Sequence, residues 1–346
     1  MSSIAERRTR TVPFVARDGF RCRLVNVRPE APPAWGPVLL VHGAGVSSNV
    51  FRAPVETTLV DYLVERGYDV WLEDWRASIL LEANTWNLDQ AAVEDHPAAV
   101  ETVLRETGAD TLKAVIHCQG SCSFMMAAVA GLLPQVTTVV SNAVSLHPVV
   151  PRFSQLKNRL FVPLADRLMV YMDPSWGFRA PALIPRTLAL ATWLAHRECG
   201  SMTCRMVSFT YGSGRPALWR HENLNAETHG RWLDDNFGRV PLSFFAQMHS
   251  CVEAGHLLPV AGYRELPESL VAQAPRTDSR FAFFAGELNQ CFLPASQVRT
   301  FEFFDRHQPG RHALHVLPGY SHLDLFMGER AAQDVFPLML AELEKE

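Results

Sequence analysis

The run Val38-Leu39-Leu40-Val41 has no polar face and stops at His42-Gly43-Ala44-Gly45. So short an apolar run, bounded by proline and glycine, fits a strand buried on both faces of a parallel sheet. Such a strand needs helices on both sides, so the chain should supply strand and helix in alternation. Leu59, Leu63 and Val64 give helical spacing over 54–66, and Gly67 ends it. Tyr68-Asp69-Val70-Trp71-Leu72 reads as a strand, 88–106 as a helix ending at Gly108, and 111–117 as another strand. A helix rich in small residues over 121–133 and a strand over 136–141 continue the pattern. Upstream, 11–27 reads as two extended runs around the hairpin signal Asp18-Gly19, followed by a proline-rich link from Pro29 to Pro37.

After His147-Pro148 the rhythm breaks, and 149–275 shows helical stretches, prolines and aromatics without a buried-strand pattern. Alternation returns with a strand at 280–286, a helix near 296–306, a strand at 313–317 and a last helix over 330–344. The economical division is an α/β core in two parts, 1–148 and 276–346, with a mainly helical insertion over 149–275. An insertion of roughly 125 residues is far longer than an ordinary loop. It is expected over the C-terminal ends of the strands, as a lid, because open α/β sheets bind ligands there.

A net charge of -4 and a sequence pI near 6.4 give no sign of nucleic acid as a partner or of an anionic membrane surface. The polar start through Ala5-Glu6-Arg7-Arg8-Thr9-Arg10 leads into no apolar run, so no signal peptide is expected. No stretch approaches the roughly 18 apolar residues of a membrane span. Seven cysteines, an odd number spread irregularly, fit reduced thiols in a cytoplasm.

Three segments, each directly after an expected strand, carry the chemistry. In Val115-Ile116-His117-Cys118-Gln119-Gly120-Ser121, Cys118 stands where a sharp strand-to-helix turn would lift a nucleophile above the sheet. Gly120 and Ser121 are small enough for that turn, whereas Ile116 occupies a position usually given to glycine. Ser121 and Ser123 fit the frame less well, with Gln119 two before the first and Met125 two after the second. A helix N-terminus and a nearby imidazole can activate a thiol there; the plain alternative is a structural cysteine at a strand end. His42-Gly43-Ala44-Gly45 is the second segment, and the backbone N–H groups of Ala44 and Gln119 are the expected oxyanion hole. The third, Leu317-Pro318-Gly319-Tyr320-Ser321-His322-Leu323-Asp324, places His322 where the order nucleophile, acid, base puts the general base. The orienting group should follow the strand at 280–286, and Asn289 holds that slot, with Glu287 and Asp324 as carboxylate alternatives.

With these motifs in view, the chain resembles the α/β-hydrolase superfamily. Within it, the chain looks like the lipase-like domain associated with cholesterol-oxidase-type flavoenzymes. That likeness runs through Val70-Trp71-Leu72-Glu73-Asp74-Trp75-Arg76-Ala77-Ser78, Cys204-Arg205-Met206-Val207-Ser208-Phe209-Thr210-Tyr211-Gly212 and Gly319 to Gly328. Polyhydroxyalkanoate synthases are a more distant likeness, sharing an elbow cysteine and a Trp-Arg pair but requiring the glycine that Ile116 replaces. Dienelactone hydrolases share the cysteine but are shorter and lack such a lid. No segment resembles a flavin-binding domain, so no cofactor is expected.

The insertion is rich in aromatics and methionine, among them Phe161, Trp176, Trp219, Phe244, Phe245 and Met248. Such a lid leaves an apolar pocket above the nucleophile, suited to a hydrophobic acyl substrate. Within the lid, His196, Cys199 and Cys204 have a spacing that fits no common zinc site and lack an evident fourth ligand, so no metal is expected. The expectation is therefore a cysteine-dependent acyl hydrolase, or an acyltransferase using the same acyl-enzyme with an alcohol or amine. It would carry no membrane anchor, and homo-oligomers are compatible with it. A non-catalytic hydrolase-fold protein binding an apolar ligand is the rival reading.

Overall fold

A computed structural model describes residues 8–28, 31–165, 167–197, 199–212 and 216–345. The polar N-terminus through Arg7, and Pro29 at the start of the proline-rich link, lie outside the described residues. Eight strands form one sheet: β1 (Arg8–Val15), β2 (Arg21–Arg28), β3 (Pro37–Val41), β4 (Asp69–Asp74), β5 (Leu112–His117), β6 (Val136–Asn142), β7 (Arg280–Gly286) and β8 (Ala313–Leu317). Their spatial order is β1-β2-β4-β3-β5-β6-β7-β8. The β1–β2 and β2–β4 pairs are antiparallel; every other pair is parallel. The hairpin turns at Gly19, whose φ of 91° suits the residue without a Cβ. β3 and β4 are buried along their whole length, as two-sided cover requires.

The nine principal helices are α1 (Leu59–Glu65), α2 (His96–Thr107), α3 (Cys118–Val129), α4 (Arg152–Ala165), α5 (Leu183–Ala195), α6 (Met202–Tyr211), α7 (Leu242–Ala254), α8 (Ala295–His307) and α9 (Phe336–Leu343). α1 starts at Leu59 rather than near Pro54 because Thr58 and Asp61 form a capping box. The helix expected over 88–106 contains a π-turn at Ala91–Asp95 before α2, and the last helix is broken at Val335 into Ala331–Asp334 and α9. α4 to α7 all fall between β6 and β7, in the stretch expected as an insertion. That stretch also holds a two-residue ribbon, Tyr171–Met172 against Val240–Pro241. Among the described residues, no helix is long and apolar enough to cross a membrane.

Candidate active site

The ends of β3, β5, β6, β7 and β8 converge on Cys118. β5 ends at His117 in extended conformation, and Cys118 then takes φ +55°, one of two non-glycine residues with positive φ among those described. A residue with a Cβ pays strain there, which is how a nucleophile elbow is built. The glycines that permit the turn are not the one expected two residues earlier. A Cβ on Gly120 would lie 2.2 Å from the His42 carbonyl oxygen, and one on Gly43 would lie 2.8 Å from the Cys118 Cβ. Those two close approaches seat the start of α3 against the loop after β3, so Ile116 can remain a buried strand residue.

The same approach aims the backbone N–H groups of Ala44 and Gln119, with the Gln119 side chain, at the Cys118 sulfur. Burial pushes the thiol up to about 12, and those donors only partly oppose it. The loop after β3 is itself held down: Trp75 Nε1 donates to the His42 carbonyl at 2.9 Å, and Asp74 accepts from the Ser48 N–H and the Ser78 hydroxyl. Arg76 makes a buried fork onto Asp95 and reaches Asp18 at 2.9 Å. The Trp75-Arg76 pair thus serves the scaffold.

His322 is buried in the turn after β8. A Cβ on Gly286 would strike the Ser321 carbonyl oxygen at 1.9 Å, so glycine lets the turns after β7 and β8 touch. That contact brings Asn289 Nδ2 to 3.1 Å from His322 Nδ1. The amide orientation is fixed by the other end, since Asn289 Oδ1 accepts from the Cys291 and Phe292 N–H groups at 2.9 and 3.1 Å. Asn289 therefore donates to Nδ1, and the neutral imidazole keeps its proton on Nε2. Burial lowers His322 to about 3, so it is uncharged near neutrality. Glu287 is exposed and meets the Gly319 N–H, and Asp324 accepts from the N–H groups of Ser321 and Arg220 and from the Asn223 amide. Neither carboxylate takes the place of Asn289.

Sequence reasoning passed over His117. Its ring lies 4.8 Å from that of His322, centre to centre, and nitrogens of both rings lie within 4.8 Å of each other and of Cys118 Sγ. Asn142, its register partner at the end of β6, donates to His117 Nδ1 at 2.9 Å. Burial and the neighbouring His322 and His42 hold His117 well below its ordinary range. The only sequence signal was adjacency to Cys118, which thirteen histidines dilute. A better-formed relay lies deeper: His96 Nε2 is 2.7 Å from Ser123 Oγ, and its Nδ1 is 2.9 Å from Glu73. All three residues are sealed in the core, so this Ser–His–Glu set meets no substrate.

Two cavities meet at Cys118. One is a narrow space of about 40 Å³ against Val150, Lys157, Phe244, Phe245, Met248 and Phe292. The other, about 20 Å³, lies toward His322, Leu218 and Phe237. A third space of about 20 Å³ shares Lys157, Asn158, Thr210 and Phe245 with the first and continues past Phe161 and Met172. The Tyr211 hydroxyl, without a hydrogen-bond partner among the described residues, overhangs Gly45 beside the thiol.

Eight strands in this order, with an elbow after β5 and a histidine after β8, decide the architecture. The chain has the α/β-hydrolase fold. A family model described as alpha/beta hydrolase fold matches residues 36–183. Sterol esterase 2 of Saccharomyces cerevisiae is 28% identical over 172 residues, covering 44% of this chain and 31% of that protein. The chain thus spans about a third of that relative. Human lipase member K is 22% identical over 333 residues, 89% of this chain and 79% of the lipase. Among solved structures, an epoxide hydrolase from Vigna radiata superposes with TM-score 0.60 at 14% identity, covering 99% of each chain. A lipase in open form gives 0.59 at 14% identity, covering 97% of this chain and 98% of that one.

Proposed function

We propose that the chain is an acyl hydrolase for an elongated apolar ester, with Cys118 as nucleophile and the N–H groups of Ala44 and Gln119 as oxyanion hole. His322 is the proton carrier, Asn289 orients it, and the 149–275 insertion is the lid over the acyl channel. One observation carries this reading: the left-handed Cys118 has two backbone N–H groups on its sulfur, at the junction of two cavities. The apolar side chains Val150, Phe244, Phe245, Met248 and Phe292 beyond Cys118 suit an acyl group or ring system, and binding it would require these narrow spaces to widen. Relatives named as a sterol esterase and a lipase point the same way, and so does the likeness to lipase-like domains beside cholesterol-oxidase-type flavoenzymes.

In this scheme the sulfur adds to the ester carbon as its proton passes to His322, and the carbonyl electron pair moves onto the oxygen held by the two N–H groups. Collapse of the adduct expels the alcohol, which takes that proton. Water, deprotonated by His322, then attacks the thioester, releasing the acid and restoring the thiol. Asn289 sets the pace. Its N–H on Nδ1 puts the imidazole proton on Nε2, so the lone pair that must accept the thiol proton is absent in the favoured tautomer.

Asn289→Asp keeps the bonds from Cys291 and Phe292, turns an acceptor toward Nδ1 and frees Nε2. The expected gain in kcat/KM on p-nitrophenyl esters is large, up to about 10⁴-fold, the scale on which the wrong tautomer slows a catalytic triad. Alkylation of Cys118 should shift to lower pH in the same variant. No change in either measurement removes Asn289 from the mechanism.

The same amide favours a second reading, a hydrolase-fold protein that binds an apolar ligand without turning it over. A panel of esters of rising chain length, given to wild type and Cys118→Ala, separates the two. Turnover that rises with chain length and vanishes in Cys118→Ala supports the hydrolase. Equal rates in both proteins overturn the nucleophile, and saturable binding without turnover selects the second reading.

A further inference from the structure

The insertion gathers a second set of thiols and imidazoles, remote in sequence and unused by the chemistry above. Cys199 lies in the loop after α5, Cys204 in the first turn of α6, His221 in a 3-10 turn and His229 in a π-turn. One ligand atom from each, Sγ or a ring nitrogen, lies within 4.8 Å of every other. Cys204 Sγ is 3.4 Å from His221 Nε2, and Cys199 Sγ is 3.8 Å from His229 Nε2. In a tetrahedral zinc site a sulfur and a nitrogen ligand stand about 3.5 Å apart. The two imidazoles have centres 4.7 Å apart and cross at 89°, so they converge without stacking.

We propose that Cys199, Cys204, His221 and His229 bind one zinc ion in a closed, structural site. Two thiolates and two imidazoles match the softness and coordination number that zinc prefers, and leave no position open for catalysis. His196, which the spacing suggested, is not in the set; it stands beside Phe209. His221 and His229 replace it, and turns separated by 17 and 30 residues from their thiol partners hide them from any spacing rule.

The surroundings favour thiolates. The Ser201 N–H donates to Cys199 Sγ at 3.2 Å, and Ser201 caps α6 by accepting from the Cys204 N–H. Cys204 therefore sits at the positive end of a ten-residue helix. Arg205 pins the Cys199 carbonyl at 2.6 Å. The site would join the start of α6, whose far end carries Tyr211, to the strand of chain whose Leu218 carbonyl accepts from the His322 N–H. Zinc thus braces two walls of the cavity at Cys118 from outside it, whatever chemistry that cavity performs.

The test is metal content and cobalt spectroscopy on the full chain. Reduced, metal-stripped protein given zinc should retain one equivalent after desalting, both as wild type and as Cys118→Ala. Cys199→Ser and His229→Gln, at half-buried positions, should lose it. Should either variant fold poorly, cobalt substitution of the wild type still decides. Intense visible bands of tetrahedral cobalt with sulfur-to-metal charge transfer are expected, and they should persist in Cys118→Ala. Wild-type protein that retains no zinc, six-coordinate cobalt bands, or metal lost on Cys118→Ala and kept in Cys199→Ser would each overturn the site.

Discussion

Helices α3 and α5 are similarly apolar and of nearly equal length, yet their environments are opposite. Every residue of α3 is buried, whereas α5 buries only Pro185 and Thr192 and leaves Leu183 77% and Leu190 58% exposed. Composition did not separate them; what covers them did. α3 lies within the core and starts at Cys118, so its packing and the candidate site are one object. Other parts of 149–275, among them Trp219, Phe237, Phe244 and Cys251, join the main core, so α5 marks the insertion's exposed side, while Lys157 donates to the Phe209 and Gly212 carbonyls. The surroundings of Cys118 are therefore set by the packed core, while α5 lies largely exposed.

The contrast predicts unequal sensitivity to substitution. Gly120→Ala drives a methyl into the His42 carbonyl and should cost more than about 4 kcal/mol, read as loss of folded protein by circular dichroism. Met125→Ala, in the middle of α3, should cost about 2–5 kcal/mol in urea unfolding. Acid should act next. The unfolded chain protonates histidine near pH 6.5 and the folded chain protonates His322 only near 3, so the unfolded state binds more protons between those values. Stability should fall as pH drops through that window, by about 1.4 kcal/mol per unit for this buried imidazole, and be flat in this respect above it. His117, held well below its ordinary range, adds in the same direction. A urea midpoint unchanged from pH 7 to 5 would contradict the neutral pair. Leu190→Ser should change stability by no more than about 0.5 kcal/mol; a large loss there would erase the distinction between the two regions.

The core was legible because its strands must be buried on both faces, and Val38–Val41, 111–117 and 280–286 leave no other option. The elbow was legible through Cys118 and Gly120, but the reason Ile116 is tolerated was not. It depends on Gly43 meeting the Cys118 Cβ, a contact between loops 75 residues apart in number. Asn289 was found by position, yet the direction of its amide depends on two backbone N–H groups that no pattern encodes. His117, Tyr211 and the partners of Cys199 and Cys204 were invisible for the same reason: tertiary approach, not periodicity, assembles them.

In the proposed reaction Cys118 carries the acyl group. Intact-mass analysis of protein mixed with a long-chain p-nitrophenyl ester and quenched in acid tests it most directly. One added acyl mass is expected, mapping to Cys118, more abundant in Asn289→Asp and absent in Cys118→Ala. An adduct that survives Cys118→Ala, or ester turnover by that variant at the wild-type rate, would contradict it.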